Sequence, residues 1–101
     1  MIVEFVLAAE LELADAVDYY DAQRAGLGNE LVRDVASAVQ RIIEYPDAWQ
    51  RLGPEVRRCQ LHRFEYGLVY RVRGDVATVY AAMHLKRRPG YWRKRLAMSG
   101  Q

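Results

Sequence analysis

The sequence predicts an α+β fold, with a helical hairpin packed on one face of a small, mostly antiparallel four-stranded sheet. Two observations carry this. Apolar residues between positions 31 and 43 recur every three to four positions, whereas those between 56 and 85 recur every two. Short links containing Gly join the elements within each group. Hydrophobic residues make up 51% of the 101-residue chain. A chain of this size buries roughly 60–70% of its unfolded surface, so that supply suffices for a core.

The elements follow in the order β-α-α-β-β-β-(α). "MIVEFVL" alternates and is rich in β-formers, which predicts a strand over 2–7. Leu7, Leu11, Ala14, Val17 and then Tyr20 or Asp21 keep helical spacing with acids on the other side, predicting an amphipathic helix over 9–24. "AGLG" stops it. Leu31, Val35, Ala38 and Ile42 mark a second helix, its stripe widened by Val32, Val39 and Ile43. It should end at Tyr45, because Pro46 disfavours helical geometry in the residue before it. A short link between two such stripes makes an α-hairpin.

After "PDAWQRLGPE" come three strands, "VRRCQLHRF", "YGLVYRVR" and "DVATVYAAMHL". "RGD" is a hairpin signal and "FEYG" is also short, so the three should form a meander. "RPGYWRKRLAM" opens with Pro and Gly and has little apolar surface. It reads as a short, weakly held helix or tail over 89–101, closing a single domain that spans 1–101. Two helices cover one face of so small a sheet. Ala77, Val79, Ala81 and Met83 are therefore expected in the core. Thr78, Tyr80, Ala82 and His84 are expected on a partly open face, with Arg58, Gln60 and His62 pointing the same way.

The charge is divided. Residues 1–50 hold ten acids and three Arg, a balance of −7, and residues 51–101 hold three acids against twelve Lys or Arg, a balance of +9. Either an anionic partner meets the basic half or the two halves pack against each other. The start lacks a basic n-region, so no secretory signal is expected. No apolar run approaches the ~20 residues that span a bilayer. Cys59 is the only cysteine, which fits a reducing cytoplasm and reads as a small buried hydrophobe. His62 and His84 lack a metal-ligand spacing, and no Gly loop for a nucleotide phosphate exists, so no metal or cofactor is expected. Asp15, Asp18 and Asp21 read as a solvated helix face. Tyr66 and Tyr70, sharing one side of a strand, read as packing residues.

The segment "MHLKRRPGYWRKR", residues 83–95, concentrates six Lys or Arg with His84, Tyr91 and Trp92 and has no acid. Arg clamps phosphate or carboxylate through two bonds, His and Tyr move protons, and aromatic rings stack on unpaired bases. Arg58, Arg71, His84, Arg87, Arg88, Tyr91 and Trp92 thus suit contact with nucleic acid or with an acidic protein segment. A solvated basic edge that discourages aggregation is the plainer reading.

Taken in order, "AAELELADAVDYY", "GLGNELVRDVASAVQRIIEYP", "VRRCQLHRFEYGLVYRV" and "YAAMHLKRRPGYWRKR" resemble the RelE/ParE superfamily of toxins from type II toxin–antitoxin modules, over nearly the whole chain. The "H-x-x-R-x-P-x-Y-W" ending and the "YY…GLG" helices resemble the ParE-like branch. The resemblance implies a cytoplasmic toxin that inhibits growth through DNA gyrase and is neutralised by a cognate antitoxin of the ParD/RelB kind in a hetero-oligomeric complex, with no membrane role. Under it Arg58, His84, Arg87, Arg88, Tyr91, Trp92 and Arg95 would contact target or antitoxin. The alternative it leaves open is a RelE-like endoribonuclease cutting mRNA on the ribosome, with Arg58, Arg87 and Tyr91 as the catalytic set. Against that branch, Gly67 stands where it tends to have Arg, and its Lys pair is replaced by Arg57 and Arg58.

Overall fold

A computed structural model describes residues 1–98 of the chain. The elements are β1 (Ile2–Phe5), α1 (Leu7–Gln23), α2 (Leu27–Glu44), β2 (Gln50–Gly53), β3 (Val56–Gln60), β4 (Tyr66–Arg73), β5 (Val76–His84) and α3 (Arg93–Met98). The α+β class and the helical hairpin are as expected. The sheet has five strands rather than four, in the order β1-β5-β4-β3-β2. The added strand, β2, is four residues long and mostly polar, so it leaves almost no periodic signal. β2 through β5 pair antiparallel, and β1 runs parallel to β5, which makes the sheet mixed. The β4–β5 turn needs only Gly74 and Asp75, because Gly74 takes φ +60° without a Cβ penalty.

The two helices differ in how they bury themselves. On α2 the expected stripe of Leu31, Val35, Ala38 and Ile42 is buried. On α1 the expected stripe holds only in its second half: Val17 and Tyr20 pack on the core, but Leu7 and Leu11 are 67% and 56% exposed, Ala14 is exposed too, and the buried residues are Ala9 and Ala16, with Leu13 beside them. Small side chains at the contact let α1 lie close to the sheet, and its larger apolar residues are left outside. Asp21, expected in the solvated face, also accepts the Gly28 N–H at 2.8 Å, which fixes the link between the helices.

The sheet departs from expectation at one residue. Tyr70 pairs with Val79 while Val69 pairs with Ala81, so Tyr80 is an extra residue bulged from β5. A one-residue shift sends all later side chains to the opposite face. Ala77 and Val79 therefore join Ala82, with Leu68, Tyr70 and Cys59, in the core under the helices. Ala81 and Met83 lie on the other face with Val56, Val69 and Trp92. Nor is that face open: Trp92 is 1% exposed and Tyr80 is also buried. The C-terminal segment crosses it as a strap ending in α3, with Tyr91, Leu96 and Leu52 packed around the cluster. The expected tail over 89–101 is thus held down and partly helical as far as residue 98; its remaining positions, 99–101, lie outside the described residues.

The expected strand "VRRCQLHRF" ends at Gln60 because the chain turns there around a carboxylate. Asp34, buried on α2, accepts the backbone N–H groups of His62, Arg63 and Phe64 at 3.1, 2.7 and 3.2 Å. Three donors on one acid are a charge-assisted cap for a turn that would otherwise bury unpaired N–H groups.

Candidate functional site

β1 ends at Phe5, but β5 runs on to His84, so the last part of β5 lacks a strand on that side. Side chains take the strand's place. Glu12, reaching from α1, accepts the Ala82 N–H at 3.1 Å, and Arg95, reaching from α3, donates to the Tyr80 carbonyl at 2.9 Å. The two also pair with each other in a bidentate bridge of 2.9 and 3.1 Å. The bridge crosses the sheet edge and ties a helix on one face to the strap on the other. Glu12 collects two more donors, the Tyr91 hydroxyl at 2.7 Å and Arg87 Nη1 at 3.4 Å. The Arg87 guanidinium lies 3.7 Å from the Tyr91 ring centroid, and that of Arg95 lies 5.1 Å from it.

This explains part of the charge division: acids of the first half neutralise arginines of the second. Glu30 likewise holds Arg63 at 2.7 Å and Arg24 at 3.1 Å, and those hydrogen bonds keep its carboxyl below the usual carboxylate range. In the Glu12 cluster, burial and then the hydrogen bond to Glu12 push the Tyr91 hydroxyl up. The hydrogen bond to Glu12 raises Arg95 as well. Tyr91 is thereby locked in its neutral, donating form.

Two clefts flank the cluster. One, of about 200 Å³, lies between α1 and the ends of β4 and β5; Asp15, Tyr19, Tyr66, His84 and Arg87 line it beside Glu12. The Tyr66 ring stands edge-on to His84 at 5.2 Å and to Tyr20 at 6.3 Å, so Tyr66 is a packing residue that also walls a cleft. The other cleft, of about 150 Å³, lies on the strap side. Arg58, Arg87 and Arg93 line it over an apolar floor of Leu52, Met83, Leu85 and Trp92. Gly67 forms part of the reason. A Cβ there would sit 2.8 Å from Cγ and Cδ of Arg58, so the bare backbone of β4 is what lets the Arg58 stem lie across it. Arg58 thus fills the space that a side chain at position 67 would take. It donates to Gln50 Oε1 at 2.8 Å.

The seven expected contact residues therefore divide. Arg87 and Arg88 are exposed and Arg58 half-exposed, and Arg87 lines both clefts. His84 opens onto the α1 side, not toward Arg58, because the Tyr80 bulge turned it over. Trp92 is buried beneath the strap, and Arg95 and Tyr91 are turned inward to Glu12. Arg71, also suited to an anion by its chemistry, is spent on the Tyr80 hydroxyl at 2.9 Å. Glu12 was missed altogether. In sequence it is one acid among several on α1, and nothing in its spacing separates it from the solvated ones. Cys59 is buried as expected, with its thiol pushed up by burial.

No protein-family model matches this chain, and no curated protein matches it in sequence. Among solved structures, the fold is similar to that of a chain of the chromosomal ParDE TA system from P. aeruginosa, with a TM-score of 0.74 and 19% identity. The match covers 85% of this chain and 97% of that one. The α+β fold expected from the sequence resemblance is thus the fold of a solved ParDE chain.

Proposed function

We propose that this chain is the single-domain toxin of a type II toxin–antitoxin module, ParE-like in kind. It would act in the cytoplasm on DNA gyrase and be neutralised by a cognate antitoxin in a hetero-oligomeric complex. The observation that carries the reading is the fold shared with a ParDE chain across most of both chains. The site chemistry supports a binding role over an enzymatic one. Of the three residues a ribonuclease would use, Tyr91 is bound to Glu12 and held neutral, so it is a poor proton acceptor. Exposed Arg87 and Arg88, with Arg58 behind them, remain as a surface for an acidic partner. Among the described residues no helix is long and apolar enough to cross a membrane.

The test is growth on induction with and without the neighbouring antitoxin gene, followed by gyrase supercoiling and cleavage assays with purified protein. Arrest with inhibited supercoiling is expected; arrest with unaffected gyrase at high excess would reject the target. One observation favours the ribosome-dependent endoribonuclease as a second reading: Arg58, Arg87 and Arg93 line a single cleft, and converging guanidinium groups suit a phosphate. Primer extension on translated mRNA after induction separates it, since cuts within codons support it and intact message rejects it.

A further inference from the structure

We infer that Glu12 is the positioning residue of the working surface: from α1 it aims Arg87 outward by holding Tyr91 and Arg95 beneath it. The inference rests on the toxin reading above.

Glu12 collects four donors from three parts of the chain, namely the Ala82 backbone, the strap residues Tyr91 and Arg95, and Arg87. Its side chain is 15% exposed and that of Arg95 is 20% exposed, whereas that of Arg87 is 53% exposed. A partner therefore meets Arg87 and not the pair that holds it. Arg87 is fixed twice through Glu12, once directly at 3.4 Å and once through the Tyr91 ring, whose hydroxyl Glu12 anchors. An exposed Arg ordinarily gives up rotamer freedom on binding. One that already rests over a fixed ring gives up less, so the anchor contributes to affinity without touching the partner. The same carboxylate fills in for the strand missing beside β5, which ties the aim of Arg87 to the sheet itself.

Glu12→Gln keeps the size and one acceptor oxygen but removes the charge that satisfies two guanidinium groups. It should raise the half-inhibitory concentration against gyrase at least tenfold, while circular dichroism stays unchanged. In an Arg87→Ala background the same change should add less than twofold. Full additivity in the two backgrounds would overturn the inference, because Glu12 would then act through overall folding. Tyr91→Phe, which removes a single hydroxyl, gives a milder version and should move the inhibition in the same direction. Should the wild-type protein leave gyrase untouched, the toxin reading fails but the positioning claim is still read on the chain. Backbone hydrogen exchange over residues 86–96 should rise at least tenfold in Glu12→Gln and stay constant over α2. Unchanged exchange in that segment would overturn it.

Discussion

The two faces of the sheet are held by different physics. Under the helices, thirteen buried residues form one apolar cluster, with Phe5, Val17, Tyr20 and other half-buried side chains packed on it. On the strap side there are five, Val56, Val69, Ala81, Met83 and Trp92, with Leu52, Tyr91 and Leu96 packed on them. The strap itself is fastened by polar contacts, chiefly the Glu12 cluster and the bond from Arg71 to the Leu96 carbonyl. Among the described residues, buried donors without a hydrogen-bond partner occur on both sides, Arg58 Nε, Arg71 Nε and Trp92 Nε1 on this one and Arg41 Nε and Nη2 on α2, so they do not set the faces apart. Apolar burial is non-directional and tolerates small adjustments, but a clamp of hydrogen bonds holds only at its own distances and angles. The helix side is therefore built to fold the chain, and the strap side to present residues 86–95 in one geometry at smaller cost in stability if it opens.

The largest expected effect breaks the strap side alone. Trp92→Ala removes a fully buried indole, a change that costs about 3–5 kcal/mol in packed cores. Because only the strap sits on it, the loss should appear as local opening. Exchange over 91–98 should rise and a dye for exposed apolar surface should bind, with helical circular dichroism retained. Leu31→Ala is the counterpart on the helix side and should cost about 2–5 kcal/mol of global stability, lowering the denaturation midpoint for all probes together. Equal global unfolding in both variants would erase the distinction between the faces.

Asp34→Ala comes next. It strips the acceptor from three backbone N–H groups at the turn after β3 and should cost about 1–3 kcal/mol in urea denaturation. A change below 0.5 kcal/mol, roughly the surface-substitution range, would mean that water replaces the carboxylate freely.

These positions also mark how far the sequence could be read. The helical hairpin, the meander and the α2 stripe were legible because they rest on periodicity, which is local. The Tyr80 bulge was not, since "VATVYAAMH" alternates plausibly on either side of it and only the pairing with β4 reveals the shift. α1 misled because its inward stripe of Ala9, Leu13, Ala16, Val17 and Tyr20 is matched by exposed Leu7 and Leu11 on the other side, so apolar spacing alone does not choose the face. Of the site, the basic segment was visible as composition. The division into outward Arg87 and inward Tyr91 and Arg95 depends on a partner, Glu12, some seventy-five residues before Arg87. Long-range polar contacts have no period, so no pattern along the chain announces them.

A smaller effect on the helix side is read by pH. Burial pushes the Tyr70 hydroxyl from 10 up to about 12. The folded state therefore holds that proton more tightly than the unfolded state does. Its contribution is complete below pH 10 and is lost as pH rises through about 12. In an ultraviolet titration, the ionisation step of Tyr70 should be delayed toward about pH 12. Tyr70→Phe should remove that delayed step and delay alkaline unfolding, and a parent titration without the delayed step would contradict the burial.

The smallest expected effect on stability belongs to Arg87→Ala. Arg87 is half-exposed at 53%, its contact with Glu12 is long at 3.4 Å, and Arg95 keeps the bidentate partnership without it. Solvent screens such a pair, and its loss should change stability by no more than about 1 kcal/mol, the stack on Tyr91 included. No core is touched, since Met83 is the last buried residue of β5 and Arg87 lies beyond it. A partner's carboxylate or phosphate, by contrast, would lose a charge-assisted bond worth roughly 1.5–3 kcal/mol. The double variant Arg87→Ala, Arg88→Ala should therefore abolish growth inhibition on induction while its melting temperature stays within a few degrees of the parent. A folded double variant that still arrests growth would show that the strap side, for all its polar fastening, does not present the working surface.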